Sequence, residues 1–241
     1  IAKLCDAFDQ LRPLHDASVQ RAQADHVDHA LWNCHWLRTL TLRVGAGVTS
    51  LPGAGLGNLS ELQQLVLSGN AGLTSLPAEV GTLKKLRVLE LEGCVGITSL
   101  PATLSSLPAL ETLNAANCKL TSLSPALDSC GSLLILNVSG NALTELRIPF
   151  ALLTKLSVLK FSRNKVKELP ADVGLLGNLV TLEGEANQIK TVPTELTQLK
   201  KMKNFAMAGN PFADAKVAKM AADKGRGWKE LVAYLEKMEK K

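Results

Sequence analysis

Aromatic residues make up only 4% of this 241-residue chain, with a single tyrosine among them. That excludes a core of clustered rings, although 46% hydrophobic content is enough to bury one substantial core. No apolar run approaches the ~18 residues that cross a bilayer. Histidine is confined to His15, His26, His29 and His35, so beyond residue 35 there is no imidazole to act as a general base. Nucleophile elbow, phosphate loop, kinase and dinucleotide signatures are all missing, and Gly45-Ala46-Gly47 lacks the third glycine of a cofactor loop. The expectation is no enzyme and no cofactor.

Cysteine is sparse as well. Cys5, Cys34, Cys94, Cys118 and Cys130 form an odd set without paired spacing, which excludes a disulfide framework and reads as reduced, buried thiols. His26 and His29 stand one helical turn apart, near Cys34 and His35, but no second cysteine pair completes zinc-site spacing. A polar capping segment is the expected reading, with no metal. Net charge is +5, which favours solubility and does not by itself mean nucleic acid.

What the chain has is repetition. Leu62-Gln63-Gln64-Leu65-Val66-Leu67-Ser68-Gly69-Asn70 opens a sentence that closes on Leu76-Pro77, and the sentence recurs. Its starts fall at Leu37, Leu62, Leu86, Leu110, Leu133, Leu156, Leu179 and Met202, with spacings of 25, 24, 24, 23, 23, 23 and 23 residues. Each unit has one apolar face and nothing within itself to bury it against, so it must stack on its copies.

The L-x-x-L-x-L-x-x-N pattern at this period resembles the leucine-rich-repeat family in its intracellular, Leu-Pro-containing type. The resemblance covers residues 37 to 212 and implies an α/β solenoid, or horseshoe, with a parallel concave sheet and about eight repeats. Secreted members close their ends with disulfides, a pattern missing from both flanks here. An intracellular, cytoplasmic setting is expected, or an organelle if a presequence precedes Ile1.

Flanking the repeats, residues 1–36 read as a helical N-terminal cap, with one helix through Leu4, Phe8 and Leu11, a break at Pro13 and a second helix from about Asp16 to Trp36. Residues 213–241 read as a helical C-terminal cap. One helix spans Ala213–Asp223, and a second begins at Trp228 with Trp228, Leu231, Leu235 and Met238 on one stripe. Such caps cover the apolar ends that a solenoid otherwise exposes.

Within the repeats, Leu42, Leu67, Leu91, Ala115, Val138, Phe161, Gly184 and Met207 should point inward; Gly184 leaves a hole where a leucine is expected. Asn70, Asn141, Asn164, Asn187 and Asn210 should form a buried amide ladder, with Cys94 and Cys118 as its alternative rungs. The fifth unit displaces its proline, as Glu145-Leu146-Arg147-Ile148-Pro149-Phe150, and its convex loop should bulge.

The outward strand positions form three columns. The central column holds Val66, Glu90, Asn114, Asn137, Lys160 and Glu183; one flank holds Val88, Ile135 and Val158; the other holds Arg43, Glu92 and Glu185. Eight strands make a face roughly 34 Å across, offering about 24 outward residues, the size of a standard protein interface. Basic residues gather elsewhere, at Lys84, Lys85, Lys165, Lys167, Lys200 and Lys201. The chain is basic but the concave face is not, and its size points to a protein partner; nucleic acid is left only the convex lysine edge.

Three functions stay open. The resemblance implies a non-catalytic protein-binding scaffold, monomeric or a subunit of a hetero-complex. The lysine edge suggests a structural subunit of a ribonucleoprotein, axonemal or organellar assembly. The run Glu92–Pro101 is similar to plant receptor repeats, which suggests a recognition fragment of a signalling or immune receptor.

Overall fold

The computed structural model describes residues 16–22, 29–123, 126–223 and 226–239. Nine strands lie in one parallel sheet in strict chain order. They are β1 (Asp16–Ala22), β2 (Thr39–Val44), β3 (Gln64–Val66), β4 (Val88–Glu90), β5 (Thr112–Asn114), β6 (Ile135–Asn137), β7 (Val158–Lys160), β8 (Thr181–Glu183) and β9 (Asn204–Ala206). From β2 onward the register never slips, so Leu40, Leu65, Leu89, Leu113, Leu136, Leu159, Leu182 and Phe205 stack in one buried column.

Parallel neighbours need a crossover between strands, and here each crossover is short. A one-turn helix, α1 (Gly53–Gly57), serves the first full repeat. Tight 3-10 turns serve others, at Ala78–Thr82, Ala102–Ser106, Ala171–Leu175 and Thr194–Gln198. Each of these follows a proline, in a Leu-Pro pair at Pro77, Pro101 and Pro170 and after Val192 at Pro193, which is extended at φ near −66° to −72° and has no N–H to leave unsatisfied.

The bend after each strand from β3 to β9 is left-handed. Gly69, Gly93, Asn117, Gly140, Arg163, Ala186 and Gly209 all adopt positive φ, immediately before a ladder residue. Only glycine takes this conformation freely, and Arg163 and Ala186 hold it under strain because stacking over-determines the turn.

The amide ladder forms, buried at Asn70, Asn164 and Asn187 and half-buried at Asn141 and Asn210. Asn70 Oδ1 accepts from Val44 N at 2.8 Å, while its Nδ2 donates to Leu42 O at 2.8 Å and to Leu67 O at 2.6 Å. Asn141, Asn164, Asn187 and Asn210 repeat the arrangement, each joining its own turn to the preceding repeat. Cys94 Sγ and Cys118 Sγ take the donor role at their rungs, to Leu67 O at 3.1 Å and to Leu91 O at 3.3 Å.

Burial pushes these thiols up: Cys94 above its usual 9.0, Cys118 to about 12 and Cys130, on the convex side, to about 11. Native thiols thus stay protonated where unfolded ones ionise. Their contribution to stability is present below pH 9.0 and is lost as pH rises toward 11–12. At pH 8 a disulfide reagent should leave Cys94, Cys118 and Cys130 unmodified in the native protein and modify all three in urea, as read by peptide mapping.

The hole expected at Gly184 is filled. A Cβ placed there would lie 2.7 Å from Met207 Sδ and 2.7 Å from Phe161 Cε2, with Phe161 Cζ closer still. Phe161, fully buried, occupies the same position one repeat earlier and reaches across into the space.

Two expectations at the ends are corrected. The helix expected from Asp16 to Trp36 does not form. Asp16–Ala22 is instead β1, parallel to β2 with Asp16 opposite Thr39 and Val19 opposite Leu42, and a 3-10 turn covers His29–Asn33. The unpaired backbone edge of β2 is a template for a strand, and pairing satisfies its N–H and C=O groups where a helix could not. The expected first helix, along with His15, His26 and Val27, lies outside the described residues.

At the other end, α2 (Ala215–Ala222) and α3 (Gly227–Glu239) pack on the last repeat. Met207 N donates to Ala221 O at 3.3 Å, and the Trp228 ring lies 5.1 Å from Phe205. Leu231 and Leu235 are buried, but Met238 is 52% exposed, so the apolar stripe stops one turn early.

Candidate protein-binding face

The columns read from the sequence are columns in the structure. Val66, Glu90, Asn114, Asn137, Lys160 and Glu183 are successive register partners, as are Val88, Thr112, Ile135 and Val158. Most are half-buried by their neighbours; Ile135 is 37% exposed, and Leu134 beside it is equally so. Arg43 and Glu92 are exposed and Glu185 is half-buried. Two further positions in these columns are closed: Ala116 is buried, and buried Thr181 accepts a hydrogen bond at Oγ1 from Asn204 Nδ2 at 3.1 Å.

Hydrogen bonds hold several of these side chains in place. Asn114 Nδ2 donates to Glu92 Oε2 at 3.2 Å, while Asn114 Oδ1 accepts from Ala116 N at 3.2 Å. Asn137 Oδ1 accepts from Ser139 N, and Ser162 Oγ accepts from Glu185 N at 3.1 Å. Lys160 and Glu183 form a partly exposed ion pair at 3.2 Å, of a kind worth about 0–1 kcal/mol. A pair this weak can be exchanged for a partner's charge.

The six lysines do not form one edge. Because all strands run the same way, Lys84, Lys85, Lys200 and Lys201, which precede β4 and β9, lie on one rim, whereas Lys165 and Lys167, which follow β7, lie on the other. Several are also engaged. Lys84 Nζ donates to Gly81 O at 2.7 Å and Ser106 O at 2.8 Å, tying two crossovers together. Lys85 pairs with Glu61 at 2.6 Å, and its hydrogen bond holds that carboxyl below its usual range. Lys201 Nζ donates to Asn178 Oδ1 at 2.6 Å. Alternation of inward and outward residues reveals the columns, but nothing in the linear order reveals which lysines are already engaged.

The displaced proline of the fifth unit does change the convex surface. No 3-10 turn forms over residues 145–150, and an open hollow of about 370 Å³ lies between Ile148, Pro149, Phe150 and Pro170, with Asp128 and Asp172 among its lining. Nearby in sequence, Leu152 and Leu175 are half-exposed at matching positions of successive repeats. Among the described residues no three metal-ligating side chains cluster, and no helix is long and apolar enough to cross a membrane.

An in-register parallel sheet on short crossovers, laced by an asparagine ladder, defines a leucine-rich-repeat solenoid. The family profile for a leucine-rich repeat region matches residues 5–148, more than half of the chain, and the chain belongs to that family. No curated protein matches the sequence. Among solved structures, internalin C2 of Listeria monocytogenes is similar at 25% identity over 77% of this chain and 75% of its own, with a TM-score of 0.63. The leucine-rich-repeat protein of an octameric complex of Latrophilin 3, Unc5D and FLRT2 is similar at 26% identity, over 72% of this chain and 54% of its own, with a TM-score of 0.57. A plant peptide hormone receptor, RGFR1, solved in complex with RGF2, shares the fold at 21% identity and a TM-score of 0.60; the match covers 76% of this chain and 38% of the receptor's.

Proposed function

We propose that this chain is a non-catalytic scaffold that binds a protein partner on its concave face. The observation that carries the reading is the mixed character of that face. Exposed Ile135, with Val88 and Val158 in its column, stands beside Glu90, Glu92, Glu183 and Glu185, as a desolvating centre stands beside a polar rim. The complex containing FLRT2, a leucine-rich-repeat protein, supports protein recognition as the use of such a fold. Docking through a lysine edge is the weaker reading, since its cations are split between two rims and three are already bonded.

The test is reversal of charge. Changing Glu90, Glu92, Glu183 and Glu185 to lysine should lower capture of the native partner from source-cell extract at least tenfold, or about 1.4 kcal/mol, with the fold intact. Changing Lys84, Lys85, Lys200 and Lys201 to glutamate should leave capture within about twofold, roughly 0.4 kcal/mol. The opposite result would transfer the function to the lysine rim.

A further inference from the structure

Packing of α2 against α3 opens a groove of about 380 Å³ on the C-terminal end of the solenoid, away from the concave columns. It is lined by Met220, Ala233 and Tyr234 together with Lys216 and Lys219 of α2 and Lys237 of α3. Lys216 Nζ stands 5.8 Å from the centroid of the Tyr234 ring. The ring is held in place, because the Tyr234 hydroxyl donates to Asp214 Oδ2 at 2.5 Å while Asp214 Oδ1 accepts from Lys216 N at 2.7 Å at the start of α2. The wall is therefore preformed.

The cations of this groove differ from the bonded lysines of the rims. Lys84, Lys85 and Lys201 are bonded to carbonyls, a carboxylate and an amide, but Lys219 and Lys237 make no ion pair or hydrogen bond among the described residues. Among the described residues Glu230 is the one acid in the lining, against three lysines, and Asp214 offsets part of the Lys216 charge. The excess of positive charge around this apolar surface costs the free protein repulsion, which an anionic ligand relieves.

We propose that the groove between α2 and α3 docks an acidic segment of a partner protein. An apolar side chain of that segment rests on Met220 and Ala233, and flanking carboxylates meet Lys219 and Lys237. The apolar surface favours a peptide over a flat anionic bilayer. This surface is separate from the concave face and does not depend on the reading given to that face.

The full chain is titrated into a fluorescein-labelled peptide alternating glutamate with leucine, and into the same peptide with lysine for glutamate, with anisotropy as the readout. Anionic phosphatidylserine vesicles are tested in parallel by co-sedimentation. The acidic peptide should bind and the basic one should not. Lys219→Glu with Lys237→Glu should weaken binding at least tenfold. Lys165→Glu with Lys167→Glu, which changes net charge equally on a rim, should leave it within twofold. All four lysines are exposed, so folding, checked by circular dichroism, should be unaffected. Equal losses in both variants would reduce the effect to net charge and overturn the proposal. So would no binding of the acidic peptide, or saturable binding to vesicles alone.

Discussion

Gly184→Leu, the substitution that restores the repeat consensus, should destabilise the protein by about 3 kcal/mol. For a domain of this size that lowers the melting temperature by roughly 6–12 °C. The reason is that the space is already taken. A Cβ at residue 184 would stand 2.7 Å from Met207 Sδ and from Phe161 Cε2, well inside van der Waals contact, and a leucine extends further into the same space. Neither neighbour is free to withdraw, since both are fully buried between repeats. Phe161→Leu alone should cost about 1 kcal/mol or more, because it leaves a void beside Gly184. Combined, the two changes should recover much of the loss, with a coupling of about 1–3 kcal/mol in a double-mutant cycle read by urea unfolding. Additive losses would mean that the glycine and the ring do not compensate one another.

Asn164→Ala should be nearly as damaging. Asn164 Oδ1 accepts from Leu143 N at 3.0 Å, and its Nδ2 donates to Val138 O and to Phe161 O, each at 2.9 Å. Alanine leaves the buried Leu143 N without a partner in the middle of the stack, and it takes one of two bonds from Val138 O and from Phe161 O, which keep those from Asn141 and Asn187. An unsatisfied buried group costs about 1–3 kcal/mol, so the expected loss is about 2–4 kcal/mol. The chain supplies its own graded control. Cys94 and Cys118 hold rungs with a single thiol donor to the preceding repeat, and those rungs stand. Asn164→Cys should therefore cost about half as much as Asn164→Ala, because it keeps one bond of a weaker kind. Equilibrium urea unfolding of the two variants decides this, and an alanine loss below about 0.5 kcal/mol, that of an ordinary surface change, would contradict the role given to the ladder.

The solenoid was legible because its information is local and repeated. Leucines three and two apart, an asparagine and a Leu-Pro pair fix strand, turn and crossover within each unit, and stacking does the rest. The N-terminal strand escapes the pattern because Asp16–Ala22 lacks its leucines, and its surroundings, rich in alanine and glutamine, suit a helix. Yet Asp16 pairs with Thr39 and Val19 with Leu42, both 23 residues apart, so the repeat period continued backward and could have revealed it. Gly184 looked like a defect because its compensation lies one repeat away, in a phenylalanine that also satisfies the pattern at its own position. The closed positions Ala116 and Thr181 alternate correctly and are covered by neighbours that alternation does not see.

Charge was the least legible feature. Lysine doublets in the sequence suggested a docking edge, but parallel strand direction places Lys84 and Lys165 on opposite rims. The lysines of the C-terminal groove are unremarkable in linear order. Lys216 and Lys219 come together with Lys237 only because α2 and α3 fold back on each other.

Site-specific photo-crosslinking in extract from the source cell tests the central claim most directly. A benzophenone side chain at Ile135, 37% exposed on the concave sheet, is compared with one at Leu152, 54% exposed on the convex surface. Concave binding predicts one strong protein adduct from the Ile135 probe, absent when Glu90 and Glu183 are also lysine, and none from the Leu152 probe. An adduct formed at Leu152 and not at Ile135 would contradict the account and move the partner to the convex side.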